Sequence, residues 1–420
     1  MTSTEHFYCK KFIEKDLENL SNTLEQYMVT FSNELSQSSS LDKLEKKLFA
    51  INVLKKTTNY LSIQDAKIEI QRTLALPNDG HSGTSLLYGN CLYNDFIEEI
   101  LPLYFEFFNQ ELWCLGAFGE ENTNFINSRL ISINGFSVSE MLEAFKLIIG
   151  YDNIFNAQSK FQKHISSVII LRAIGVVSKT DSTAILMLET VEGIVFEKQV
   201  ECMNKNTPSY ISDRLIKTAK ESEIPTSRFN AAKGLMLYEI PEIHSICAKV
   251  GDLRLSEEQK RKFYFLLKNR IEALNPQKII IDYRGNEGGT GFLNDEWLNL
   301  LIEHGQRYNS LIVITDINTF SLATKQAAWL KLAGNALVVG EPSGGNFWGY
   351  SSPQTYIMES LNISYNLSTE RFNESKGFNL KEITNKIGNF EALKPDKEIY
   401  STIQDYIEGK DTIFKYISTL

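Results

Sequence analysis

Along the first 75 residues the apolar positions fall at helical spacing. Leu17, Leu20, Leu24, Met28 and Phe31 recur three and four residues apart. Beyond the polar loop Ser36-Gln37-Ser38-Ser39-Ser40, so do Leu41, Leu44, Leu48, Ile51 and Leu54. Such stripes predict amphipathic helices. A third helix is expected over Ile63 to Leu74, stopped by Pro77-Asn78-Asp79-Gly80. From Gly83 to about Met203 short β-like runs take over. The clearest are Leu112-Trp113-Cys114-Leu115 and Arg129-Leu130-Ile131-Ser132-Ile133-Asn134-Gly135. The second ends in an Asn-Gly turn and leads into an amphipathic helix over Val138 to Ile149. Asn204 to Asn230 is polar, carries two prolines and reads as a connecting segment.

The last 190 residues hold the strongest pattern. Ser256 with Gln259 three residues on is a capping box. The helix it opens turns Phe263, Leu266, Leu267, Ile271 and Leu274 inward and stops at Asn275-Pro276. Lys278 to Asp282 then reads as a strand buried on both faces. A helix over Phe292 to His304, a strand over Leu311 to Ile314, a helix over Ser321 to Ala333 and a strand over Ala336 to Val339 follow. Gly334-Asn335 would close the last helix as a left-handed cap. This alternation predicts an α/β core with largely parallel pairing.

Composition narrows the class without changing that picture. With 420 residues the chain is long for one core, and its 43% hydrophobic and 23% charged content is that of an ordinary soluble protein. A net charge of −9 argues against a nucleic-acid binder. No run is long and apolar enough to predict a signal peptide or a membrane span. The scattered Cys9, Cys91, Cys114, Cys202 and Cys247 read as reduced thiols of a cytoplasmic protein and predict no metal site.

Two loops at strand ends could carry chemistry, because ligand sites of open α/β sheets lie there. Tyr283-Arg284-Gly285-Asn286-Glu287-Gly288-Gly289 is dense in glycine and permits close backbone approach. Thr315-Asp316-Ile317-Asn318-Thr319-Phe320-Ser321 brings a hydroxyl to the start of a helix, where backbone N–H groups favour developing negative charge. Taken alone, Ser321 reads as a helix N-cap.

Six segments in order change that reading. Asn275-Pro276 through Gly288-Gly289 resembles the glycine-loop segment of the tail-specific, or C-terminal processing, serine peptidases. Thr319-Phe320-Ser321-Leu322-Ala323 is similar to that family's nucleophile motif, and Val338-Val339-Gly340-Glu341-Pro342-Ser343-Gly344-Gly345 to the strand and turn after it. Arg129 to Val138 resembles its PDZ-like segment, Asn78-Asp79-Gly80-His81-Ser82 its D-G-H motif, and Lys394-Pro395-Asp396 its late Pro-Asp motif.

The resemblance implies a multi-domain α/β protein: an N-terminal helical region (1–78), a β-rich region (79–205) with a PDZ-like module at about 107–200, and a crotonase-like α/β catalytic core (206–420). It implies a serine endopeptidase working through an acyl-enzyme on Ser321, with no metal or organic cofactor and a peptide or protein as substrate. One branch of the family uses a lysine base about 25 residues after the serine, yet Ser343 to Phe347 contains none, and Lys325 is expected at the surface. The other, tricorn-like branch uses a histidine, here His81, and a distant acid. That acid is Glu391, with Asp396 and then Asp79 as the alternatives. Gly288 or Gly289 and Leu322 would supply oxyanion-hole N–H groups, and Asp282 with Arg284 would pair to hold the glycine loop. The PDZ-like module would take a peptide as an added edge strand. The competing classes are a catalytically inactive peptide-binding or scaffolding protein and, more remotely, a crotonase-like acyl-transfer enzyme.

Overall fold

The structure, a computed structural model, describes residues 15–25, 48, 51–52, 62–75, 79–206, 215–218, 220, 228–232, 234–290, 295–347, 350–371 and 392–420. Residues 15–25 are helical, and α1 spans Ile63–Ala75. The apolar stripes do what their spacing predicts. Leu17, Leu20, Leu24, Ile51, Ile70 and Leu74 are buried together with Met358, Leu361, Ile363 and Tyr365 from far along the chain. Met28, Phe31, Leu41, Leu44 and Leu54 lie outside the described residues.

Next come β1 (Gly83–Thr84), β2 (Leu103–Phe108), β3 (Glu111–Ala117), β4 (Ser128–Ile133), β5 (Phe136–Ser137), α2 (Val138–Lys146), α3 (Ile154–His164), β6 (Thr183–Thr190) and β7 (Val195–Glu201). An antiparallel sheet runs β2-β3-β4-β6-β7, and β5 hairpins back on β4. Asn134 and Gly135 both take positive φ, 48° and 83°, as a tight hairpin turn requires. Ser137 and Glu140 form a capping box that opens α2. The outer edge of β2 is already engaged. Phe107 N–H donates to Gln162 Oε1 (2.8 Å), and Ser166 Oγ donates to the Leu103 carbonyl (2.6 Å). A peptide strand adding there would have to displace both side chains.

The elements that follow include β8 (Arg228–Ala232), β9 (Leu235–Ile240), β10 (Ser245–Val250), β11 (Leu253–Arg254), α4 (Glu257–Leu274), β12 (Lys278–Asp282), β13 (Gly289–Thr290), α5 (Glu296–Tyr308), β14 (Leu311–Thr315), α6 (Leu322–Ala333), β15 (Leu337–Gly340), β16 (Tyr350–Met358), β17 (Ile363–Arg371) and β18 (Lys397–Glu398). One seven-stranded sheet runs β8-β9-β10-β12-β14-β15-β18, antiparallel up to β10 and parallel from there. The Ser256–Gln259 capping box is present, and Ile279 to Ile281 and Leu311 to Ile314 are buried throughout. Of the Gly334-Asn335 pair expected to close α6 with a left-handed cap, Asn335 takes that conformation (φ 52°) and Gly334 does not (φ −99°).

The expected crotonase-like core is not what the chain forms. Instead, one helix lies between each pair of successive parallel strands of the seven-stranded sheet from β10 to β15, the short β11 and β13 pair with each other outside that sheet, and the antiparallel ribbon β16–β17 leaves the core to pair with β1 in a sheet of its own. That pairing, Gly83 opposite Asn366, fixes the segment that carries His81.

Candidate active site

The loop after β14 is folded around one carboxylate. Asp316 accepts from Gly285 N–H (3.1 Å), Asn318 N–H (3.0 Å) and Thr319 Oγ1 (3.0 Å). Phe320 N–H donates to the Asn286 carbonyl (2.9 Å). So held, Ser321 sits at φ 55°, ψ −124°, a conformation costly for a residue with a side chain. Its hydroxyl makes no capping bond to α6. Instead Ser321 Oγ lies 2.9 Å from His81 Nε2. Ser321 thus holds the N-cap position of α6, as its place in the sequence predicts, but its hydroxyl does not cap the helix.

His81 is placed by its neighbours. Its N–H donates to Asp79 Oδ1 (3.0 Å), Ser82 Oγ donates to Asp79 Oδ2 (2.5 Å), and Gly80 N–H donates to Asp152 Oδ1 (2.8 Å). The imidazole packs on Phe320, ring centroids 4.6 Å apart. Its Nδ1 faces Asp79 Oδ1 at 3.6 Å and is buried without a hydrogen-bond partner among the described residues. Burial pushes the Asp152 carboxyl up from its ordinary value, against the pull of His81. Asp79, His81 and Asp152 offer ligand atoms within 4.8 Å of one another, a spacing a metal ion could use. Both carboxylates, however, already accept from protein donors, Asp152 Oδ2 from Asn346 N–H (3.2 Å) included. An ion would have to break those bonds, and the set fits an acidic backing for His81 better.

Of the acids expected behind His81, Glu391 lies outside the described residues. Asp396 is held elsewhere: its Oδ2 accepts from Val338 N–H (2.9 Å) in β15, and Oδ1 pairs with Lys331 at 2.6 Å. Lys325, expected at the surface, is buried, because α6 packs most of its circumference inside the core.

The glycine loop is set by a motif residue to which the sequence assigned no role. Buried Asn286 donates from Nδ2 to the Val250 carbonyl (2.6 Å) and accepts Gly288 N–H at Oδ1 (2.8 Å). Gly288 has φ 98°, and a Cβ there would stand 2.7 Å from Ser321 Cβ and 3.0 Å from Leu322 N. At Gly289 a Cβ would run into the backbone of Leu253 and Arg254. Leu322 opens α6, so its N–H has no intrahelical acceptor. Asp282 and Arg284 pair as expected (2.9 Å), and Arg284 also reaches Asp411 (2.8 Å). Burial opposes ionisation of Asp282, yet Arg284 and Lys249 hold its carboxyl well below the carboxylate range.

Helix α3 touches all three loops, which the sequence did not suggest. Ser159 Oγ donates to Asn318 Oδ1 (2.7 Å) in the loop before Ser321, and Lys163 pairs with Glu287 in the glycine loop. Lys160 Nζ donates to the carbonyls of Gly80 (2.8 Å) and Gly150 (2.6 Å). The only signal was a run of polar residues at helical spacing, which ordinarily marks a solvent face. A cleft of about 440 Å³ opens between these loops, lined by His81, Tyr88, Lys160, Gly288, Phe320 and Pro353 among others.

No protein family profile matches the chain, and no curated protein matches it in sequence. Solved structures do. CPAF in its mature form with lactacystin aligns over 98% of this chain and 98% of its own, with a TM-score of 0.62 at 12% identity. Mature CPAF without it gives 0.61 at 12% identity over 98% and 96%, and a CPAF mutant gives 0.58 at 12% over 95% and 94%. The chain shares the multi-sheet fold of these structures over 98% of its length in the first of them. This likeness overturns the crotonase-type core, and it concerns fold alone.

Proposed function

We propose that this protein is a serine endopeptidase that cleaves peptide bonds of peptides or proteins through an acyl-enzyme on Ser321. The observation that carries the reading is the 2.9 Å contact between Ser321 Oγ and His81 Nε2, made by a serine whose strained backbone aims its hydroxyl away from its own helix. Ser321 Oγ attacks the substrate carbonyl while His81 Nε2 takes its proton and later passes it to the leaving amine. The oxyanion forms between Gly289 and Leu322, whose N–H groups would bind it; Gly288, with its own N–H on Asn286, supplies the absence of a side chain. Among the described residues none hydrogen-bonds Nδ1 of His81, which leaves a place for an acid, and we assign it to Glu391, following the tricorn-like arrangement. Asp79 and Asp152 add negative charge behind the ring. No step uses a metal, so a chelator leaves the rate unchanged.

The test is digestion of a peptide library by the wild type and by Ser321→Ala. Cleavage products that appear with the wild type and vanish with the variant support the reading. Identical product sets, or none from either protein, overturn it.

A further inference from the structure

Lys160 reaches out of α3 into the space behind the catalytic histidine. Its ammonium joins two carbonyls that belong to different loops: that of Gly80, the residue before His81, and that of Gly150, two residues before Asp152. Asp152 in turn accepts Gly80 N–H, so the peptide ahead of His81 is gripped on its N–H side by one loop and on its carbonyl side by Lys160. There is no slack in this arrangement. A side chain at Gly80 would stand 2.8 Å from Asp152 Oδ1, from Asn156 Oδ1 and from Phe320 Cζ. On the same helix, Ser159 and Lys163 hold the nucleophile and glycine loops, so the ammonium references His81 to the frame that holds Ser321.

We propose that Lys160 is a positioning residue for the Ser321–His81 pair, its charge holding the histidine loop in register with the nucleophile. The proposal rests on the peptidase reading above. The charged and titratable groups facing Lys160 are Asp79 and His81 from the histidine loop, Asp152 from the loop before α3, Glu287 from the glycine loop, and Lys163 and His164 from its own helix. Charge-assisted bonds to carbonyls are about twice as strong as neutral ones. Burial pushes the Lys160 amine down to about 8, against the pull of Asp152 and Asp79, so the grip weakens to that of a neutral amine at a pH where ordinary lysines remain charged.

The experiment follows the rate of Ser321 labelling by a fluorophosphonate through and above about pH 8 in wild type, Lys160→Met and Lys160→Arg. The wild-type rate is expected to fall there. Lys160→Met is expected to be slower by on the order of 10–100-fold at neutral pH and to show no such fall. Lys160→Arg, which keeps its charge, is expected to be intermediate and also without the fall. A wild type with no fall, or either variant with the wild-type profile, overturns the proposal; should Lys160→Met fail to fold, Lys160→Arg decides. If the wild type is not labelled at all, the peptidase reading is what fails, and crystal structures of the two variants then judge the positioning claim. His81 Nε2 still within hydrogen-bond reach of Ser321 Oγ in Lys160→Met overturns it, and loss of that contact sustains it.

Discussion

Gly288 stands so close to Ser321 that a methyl group on its Cα would lie 2.7 Å from Ser321 Cβ. The close approach ties the glycine loop to Ser321, and it makes the smallest substitution informative. Gly288→Ala is expected to fold, since the clash is confined to the loop, and to lose on the order of a hundredfold to a thousandfold in kcat, the loss typical of a damaged oxyanion site. Peptide hydrolysis with a circular-dichroism control measures both. A Gly288→Ala enzyme of wild-type rate removes the loop from the reaction.

The backbone at Ser321 is strained, and that strain separates two inactive variants. Ser321→Ala keeps a Cβ at φ 55°, whereas Ser321→Gly relieves it. Because no capping bond is lost in either, Ser321→Gly is expected to be the more stable, by about 1 kcal/mol once glycine's greater freedom in the unfolded chain is subtracted. Urea unfolding of the two proteins is the check, and equal midpoints would deny the strain.

For the acid behind His81, the account predicts that Glu391→Gln drops kcat on the order of 10⁴-fold with little change in stability. Asp79→Asn is expected to weaken the fold of the histidine loop more than the chemistry, because Asp79 accepts His81 N–H and Ser82 Oγ. The reverse pattern in kcat and unfolding midpoints would move the role to Asp79.

Acid stability has a named source. Burial, helped by Lys163, pushes the His164 imidazole down to about 3, while in the unfolded chain it titrates near about 6.5. Between those values the unfolded chain holds a proton that the folded one refuses. Stability is thus complete at neutral pH and lost as pH falls, by up to about 1.4 kcal/mol per pH unit. His164→Gln is expected to flatten the curve of unfolding free energy between about pH 6 and 4; a curve parallel to the wild type's would contradict this.

The α/β alternation was legible because its strands are continuous apolar runs and its helices carry caps such as Ser256–Gln259. The pairing of Ser321 with His81 was legible only through motif resemblance, since 240 residues separate them and no local periodicity joins them. What could not be read was how distant segments cross. The route of β16–β17 to β1 depends on a pairing between residue 83 and residue 366 that neither segment signals alone. The burial of Lys325 and the inward aim of Lys160 were hidden because a lysine at helical spacing looks like a solvated face until its neighbours are known.

The pairing of Ser321 with His81 is tested most directly by kcat/KM on one cleaved peptide for wild type, His81→Ala and Lys325→Met. The account predicts a loss on the order of 10⁴-fold or more in His81→Ala, because the proton of Ser321 Oγ then has no acceptor, and a rate within a few-fold of wild type in Lys325→Met. Full activity in His81→Ala together with its loss in Lys325→Met would contradict the account and assign the base to lysine.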